Sequence, residues 1–337
     1  MNSRKLATVF SYPFRKYGTC MFAITSRCNA RCGFCSIPSQ NDPAMPSYDE
    51  ATNAIEQLHS LGVRYIQFTG GEPFLYPSLF PVIKHASDLG MLLTVVTNGS
   101  LLDEGRVRTL AESGVQSVSI SVDHHSTQVL ELNRGIPGLA DRICEAVRLL
   151  RNLRIPVQAS TTISHLLDLE AGDYEKLIEK NQAQGFDGTY FCYPMPSTRS
   201  NYSLCGEIAR FAPERLAAVI SHILALKRRG YPIDNSLETL NNVLAHLGDR
   251  PSRYPCVAGY KVFYLDWRLD LYDCMTNGRL IGPILKLDPS RVISKRTECD
   301  ECILSCDREP SIYHHGVRSV APFMRLVRDT AARVVPF

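Results

Sequence analysis

Six times between residues 20 and 228 the chain passes from a short apolar or β-branched run to a longer amphipathic one. The short runs are 20–26 (TCMFAIT), 64–69 (RYIQFT), 91–96 (MLLTVV), 117–122 (SVSISV), 156–163 and 188–193 (GTYFCY). The segments that follow read as helices near 48–61, 78–89, 103–113, 138–151, 173–184 and 213–228. Ser47 with Glu50 three residues on is a capping pair, and Gly62 and Gly90 are placed to close the first two helices. Strands that alternate with helices pair in parallel through right-handed crossovers. An α/β fold follows, a partial (β/α)6 TIM-type barrel two units short of a full one, with a doubly wound sheet as the arrangement that shares its local pattern.

After Gly230 the pattern changes. A helix is expected at 236–247, then a hairpin of 259–265 and 269–273 turning near Asp266–Arg268, then an irregular cysteine-rich stretch at 299–310. In the tail, Val317, Val320, Met324, Val327, Ala331 and Val334 follow helical spacing, which predicts a helix packed on the barrel, with a dimer contact or an anionic membrane surface as the alternatives. The expected organisation is an N-terminal extension (1–19), a barrel (20–230), a linker helix with a cysteine-rich metal-binding appendage (231–310) and a C-terminal amphipathic helix (311–337).

With 45% hydrophobic and 21% charged residues and a net charge of +3, the 337-residue chain is globular in composition and carries no basic block for nucleic acid. It has no apolar run of transmembrane length, and Pro13, Arg15 and Lys16 fall where a signal peptide needs its apolar centre. A cytoplasmic location is therefore expected, where thiols stay reduced and clustered cysteines point to metal. Eight of the twelve cysteines are grouped: Cys28, Cys32 and Cys35, then Cys256, Cys274, Cys299, Cys302 and Cys306.

The first group, CNARCGFC, places three thiolates on one tight loop just past a strand. Iron–sulfur clusters are held by such thiolates, and three ligands on a four-iron cluster leave one iron open. Zinc with a distant fourth ligand is the alternative at this point. The Cys-x-x-x-Cys-x-x-Cys spacing, with Phe34 before the last cysteine, resembles the signature of radical S-adenosylmethionine (radical SAM) enzymes. The likeness extends to TGGEP (Thr69 to Pro73), TNG (Thr97 to Gly99), SVD (Ser121 to Asp123) and the pair Arg134–Gly135. Several of these lie just past successive predicted strands, and parallel strand ends share one mouth, where barrel active sites sit.

The resemblance implies that Cys28, Cys32 and Cys35 hold a 4Fe–4S cluster whose open iron binds S-adenosylmethionine (SAM). It places Gly70, Gly71, Glu72, Pro73, Asn98, Ser121, Asp123 and Arg134 at SAM, with Glu72 accepting from the methionine amino group. The hairpin cysteines and the following Cys-x-x-Cys resemble the twitch or shortened SPASM appendage, which implies a second, auxiliary 4Fe–4S cluster. Cys256, Cys274, Cys299 and Cys302 are its expected ligands, with Cys306 as rival for the last place and zinc as the alternative metal.

Cys192, ending the sixth strand, is a candidate hydrogen-atom donor to a substrate radical, or a small buried hydrophobe. His124 and His125 are candidate acid–base groups that loop placement would leave solvated. Arg199 and Arg210 are candidates for an anionic substrate group, with surface placement the alternative. The activity implied is reductive cleavage of SAM to a 5′-deoxyadenosyl radical that abstracts hydrogen from a small molecule. A sugar or nucleoside of an antibiotic pathway is expected, with a flavodoxin or ferredoxin as electron donor. The short segment 1–19 argues against the leader-binding domain many peptide maturases of the family carry. A peptide or protein maturase and a non-catalytic metalloprotein are the alternatives.

Overall fold

The computed structural model describes residues 18–39, 43–194, 207–276, 278–288, 292, 299 and 302–316. The expected tail helix, Arg199 and Cys205 lie outside them. The strands are β1 (Gly18–Thr25), β2 (Val63–Gly70), β3 (Leu92–Thr97), β4 (Ser117–Ser121), β5 (Val157–Thr162), β6 (Gly188–Cys192), β7 (Val262–Leu265), β8 (Asp270–Tyr272) and β9 (Leu280–Pro283). They form one sheet in the order β6-β5-β4-β3-β2-β1-β7-β8-β9. β1 to β6 are parallel throughout, so the six expected strand–helix units form an open partial barrel.

The expected hairpin is present, β7 against β8, and it joins the barrel's own sheet: β7 pairs in parallel with β1. β9 extends it further. β1 is thus paired on both edges and buried along its whole length, which accounts for its apolar run from Cys20 to Ile24.

The helices are α1 (Tyr48–Ser60), α2 (Leu79–Asp88), α3 (Glu104–Glu112), α4 (Thr127–Arg134), α5 (Leu139–Asn152), α6 (Asp173–Gln184), α7 (Pro213–Arg228), α8 (Leu237–Leu247) and α9 (Ser305–Gly316). Ser47 and Glu50 make the reciprocal capping box read from the sequence. Two helices were not expected. α4 is bounded by Ser126, whose side chain accepts from the Val129 amide, and by Gly135 at φ 65°. α9 occupies the stretch expected to be irregular, with Pro310 inside it.

Along each strand the two faces divide the work. Phe22, Ile24, Ile66, Phe68, Leu93, Val95, Val118, Ile120, Ala159 and Phe191 pack in the main core. The alternate residues, among them Thr19, Gln67, Ser119, Gln158, Ser160 and Cys192, face a cavity inside the barrel.

The edge strand β6 is covered by the segment 232–235 rather than by a further strand. Thr189 donates to the Pro232 carbonyl, and the Asp234 amide donates to Thr189, both at 2.8 Å. Fully buried Asn235 then accepts from the Phe191 amide at 2.8 Å and donates to the Phe191 carbonyl at 2.9 Å. Asn235→Ala leaves both backbone groups buried and unpaired, and should cost about 2–4 kcal/mol of unfolding free energy in denaturant titration. A loss below about 1 kcal/mol would show that water replaces the amide.

Candidate active site

The cysteine loop leaves β1 at Thr25 and is fastened from three sides. From TGGEP, the Gly71 amide donates to Thr25 O and the Glu72 amide to Arg27 O, both at 2.7 Å. From TNG, Asn98 Nδ2 donates to Asn29 Oδ1 at 2.8 Å, and Asn29 Nδ2 donates to Ser100 Oγ at 2.9 Å. From the end of α4, the Arg134 carbonyl accepts from the Arg31 amide at 2.9 Å, and Asn133 Oδ1 accepts from the Gly33 amide at 3.3 Å. Gly70 and Gly71 are required by the first of these contacts. A Cβ on Gly71 would lie 2.1 Å from Arg27 O, and one on Gly70 2.3 Å from Thr25 O.

So held, Cys28, Cys32 and Cys35 line the cavity, which has a volume of about 410 Å³. That volume lies in the usual range for cofactor and small-molecule sites. Burial, with added repulsion from Glu72 and the other two thiols, pushes the Cys28 thiol up to about 12. Cys32 is raised by burial too, with Arg134 opposing.

Of the residues expected at SAM, Gly70, Gly71, Asn98, Ser121 and Arg134 lie on the cavity wall, whereas Glu72, Pro73 and Asp123 do not. Glu72 is fully buried. Its Oε1 accepts from Thr97 Oγ1 at 2.7 Å and the Phe74 amide at 3.2 Å, and its Oε2 accepts from the Asn98 amide at 2.8 Å. In this structure it joins TGGEP to TNG. Pro73 starts a buried 3-10 turn behind the wall.

Asp123, also fully buried, accepts from Arg134 Nε and Nη2 at 2.7 Å and from Asn133 Nδ2 at 3.1 Å, all on Oδ2. Burial disfavours the Arg134 cation, but the Asp123 carboxylate together with the Cys32 and Cys28 thiols outweighs it and holds the guanidinium charged. Oδ1 of Asp123 has no hydrogen-bond partner among the described residues. Three thiols on one wall, with an unsatisfied carboxylate oxygen close behind it, fit an iron–sulfur cluster and a polar cofactor.

The second cysteine group divides. Cys256 and Cys302 are buried, and after burial itself the strongest influence on each is the carboxylate of Asp307. The two thiols are pushed up to about 11 and about 12. Asp307 is fully buried with neither oxygen hydrogen-bonded among the described residues, and burial raises it to about 7. An unsatisfied carboxylate beside buried thiols suits a metal-bound group better than an empty core. Cys306, the rival for the fourth place, instead lines the barrel cavity from α9, as Cys192 does from β6.

The two histidines are not solvated as expected. They stack at 4.3 Å between ring centroids, with His124 only 6% exposed. Their Nε2 atoms meet Asp173, at 3.5 Å for His124 and 2.9 Å for His125. His124 Nδ1 accepts from the Ser126 amide, so its proton sits on Nε2. That tautomer donates to Asp173 and leaves no lone pair for a metal, and neither ring is on the cavity wall. Arg210 is exposed and pairs with Glu207 at 3.2 Å.

Sequence reasoning missed Ser305 and Glu309, which line the cavity from α9. Their four-residue spacing was the available signal, obscured by Pro310 and by the dense cysteines.

The comparisons agree with this architecture. The family model described as the Radical SAM superfamily matches residues 22–180. AdoMet-dependent heme synthase of Methanosarcina barkeri is 33% identical over 143 residues, 42% of this chain and 41% of that protein. PqqA peptide cyclase of Gluconobacter oxydans is 32% identical over 136 residues, 40% of this chain and 38% of that protein. The structure of Streptococcus suis SuiB bound to S-adenosylmethionine covers 95% of this chain and 79% of its own, with TM-score 0.63 and 16% identity, a likeness of fold.

Over residues 22–180, within the partial barrel, the chain matches the Radical SAM superfamily, whose members use a 4Fe–4S cluster and SAM. The cysteine-rich region beyond it agrees with a twitch or SPASM appendage. The chain spans about two fifths of the length of the curated relatives it matches, 41% and 38% for the two named. No described helix is long and apolar enough to cross a membrane.

Gly71→Ala should displace the Thr25–Arg27 backbone and misplace the triad. Iron retained after anaerobic reconstitution should fall by about four atoms per chain. Gly105→Ala, in the first turn of α3, should retain the full complement, and equal iron in both variants would contradict the role given to Gly71.

Proposed function

We propose that this chain is a radical SAM enzyme acting on a peptide or protein substrate. The observation that carries the radical SAM part is the convergence of Cys28, Cys32, Cys35, Asn98, Ser121 and Arg134 on one cavity wall. In the proposal the three cysteines hold the SAM-binding cluster, and Gly70, Gly71, Asn98, Ser121 and Arg134 contact SAM. A cluster bound there supplies the one-electron reduction from which the family obtains a hydrogen-abstracting 5′-deoxyadenosyl radical.

The chain's own residues do the rest. Asp123 fixes Arg134 as a charged donor at the wall. Phe34 lies under that guanidinium, with the carbon 5.9 Å from the ring centre, and buries its apolar face against the loop. Cys256, Cys302, Cys274 and Cys299 are the proposed ligands of an auxiliary cluster, with Cys306 left to the cavity. Cys192 and Cys306 then present thiols to a substrate between the barrel and α9.

The peptide reading is supported by the PqqA peptide cyclases among the relatives, at 32% identity for the Gluconobacter oxydans protein. It takes precedence over the sugar or nucleoside expected from the sequence, for which GTP 3',8-cyclase of Clostridium perfringens, at 26% identity over 148 residues, is weaker support. A small-molecule substrate stays as the second reading, favoured by the heme synthase at 33% identity. A flavodoxin- or ferredoxin-type protein is the proposed electron donor.

Anaerobic reconstitution should load about eight irons per chain, four at each group. With dithionite and SAM the reconstituted protein should release 5′-deoxyadenosine. The combined Cys28→Ala, Cys32→Ala and Cys35→Ala variant should release none and keep about four irons. Continued release from that variant would sink the assignment, and zinc in place of iron would overturn it altogether.

A further inference from the structure

The loop that carries the first three cysteines is a wall one backbone thick. From residue 27 to residue 34 its side chains alternate between two faces. Cys28, Ala30, Cys32 and Phe34 line the cavity. Arg27, Asn29, Arg31 and Gly33 are exposed and do not line it. A group held by the thiols on the inner face is thus separated from the outer face by the loop's own backbone.

That outer face is cationic. Between residues 26 and 41 the chain has two arginines and no aspartate or glutamate. Neither Arg27 nor Arg31 makes an ion pair among the described residues. Exposed arginines elsewhere do, such as Arg108 with Glu104 at 3.1 Å and Arg215 with Glu170 at 2.7 Å. The carboxylates of the motifs that brace the loop, Glu72 and Asp123, are fully buried and accept from Thr97, Asn98 and Arg134. Neither is presented at the surface beside the two guanidinium groups, which stay charged at any working pH.

The neighbouring helix adds an apolar point. Leu132 on α4 is 82% exposed. The next residue, Asn133, accepts from the Gly33 amide at 3.3 Å through Oδ1. Fixed charges around a small apolar contact suit a small transient interface, the kind that redox partners form.

We propose that the outer face of the cysteine loop, with Arg27 and Arg31 on it and Leu132 beside it, is where an acidic one-electron carrier protein of the flavodoxin or ferredoxin type docks. This rests on the reading of the triad as the site of a reducible cluster. The step moves one electron and no atom: the carrier is oxidised by one electron and the cluster reduced by one. The two arginines steer the carrier's acidic face to the loop whose other face holds the thiols.

The test measures the affinity of the reconstituted full chain for an acidic flavodoxin by calorimetry, at about 20 mM and about 200 mM salt. The wild-type chain should bind at low salt and lose at least about fivefold in affinity at the higher salt, because screening shortens the reach of exposed charges. Arg27→Glu with Arg31→Glu should bind at least about tenfold more weakly at low salt and lose the salt dependence. Arg228→Glu with Arg229→Glu makes the same change of net charge at the end of α7 and should bind as the wild type does.

Release of 5′-deoxyadenosine is followed in parallel. Driven by reduced flavodoxin, it should fall with the affinity when Arg27 and Arg31 are changed. Driven by dithionite, a small reductant that needs no docking surface, it should match the wild type, and iron content should be equal. If charge reversal costs iron, Arg27→Gln with Arg31→Gln removes the charges without reversing them and should bind at least about threefold more weakly.

Equal binding by the wild type and the Arg27 and Arg31 variants overturns the inference. So does binding indifferent to salt, an equal loss in the Arg228 and Arg229 variant, or no measurable binding to the wild-type chain. Dithionite-driven release with binding indifferent to Arg27 and Arg31 defeats this inference alone. Binding that depends on the two arginines, without dithionite-driven release, defeats the enzymatic reading alone.

Discussion

Two backbone hydrogen bonds, from the Gly71 and Glu72 amides to Thr25 and Arg27, hold the cysteine loop against the end of β2. They need a separation that a side chain on either glycine would prevent. With the loop fixed there, Asn29 reaches Asn98 and Arg31 reaches the end of α4. Motifs far apart in the chain thus meet through one piece of backbone. The orientation of all three thiols toward the cavity depends on it.

The cavity itself follows from the strands' period of two. Each parallel strand turns apolar residues outward under the helices and polar or small ones inward, as with Phe68 and Gln67 in β2, or Ala159 and Ser160 in β5. An open barrel of six strands leaves one side of this interior to other elements. β7 closes it beside β1, and α9 brings Ser305, Cys306 and Glu309 to it. The appendage is therefore part of the cavity wall.

The buried charges divide into those satisfied within the chain and those that are not. Glu72 is held by three donors, and Asp123 spends one oxygen on Arg134 and Asn133. Asp123 Oδ1, both oxygens of Asp307 and Oε2 of Glu309 have no partner among the described residues. A folded chain tolerates such groups where a bound partner satisfies them. The three positions fall behind the first thiol group, beside the second, and on the wall that α9 gives the cavity.

Much of this was readable from the residues in order. The strand–helix alternation carried the six parallel units, Ser47 and Glu50 carried a capping box, and the spacing of Cys28, Cys32 and Cys35 carried the loop. Helix α4 was also readable, from Ser126 and Gly135, but short polar helices give a weak periodic signal. What the sequence could not convey was which groups satisfy one another. Nothing in the sequence around Glu72 showed that Thr97 and Asn98 would donate to it. Cys306 was a rival to Cys302 in the sequence, and the fold turns it on a helix toward the barrel. Local pattern decides element type and residue chemistry, because those depend on neighbours in the chain. Only tertiary structure decides burial and pairing, because a carboxylate's partners and a thiol's surroundings come from strands and helices distant in sequence.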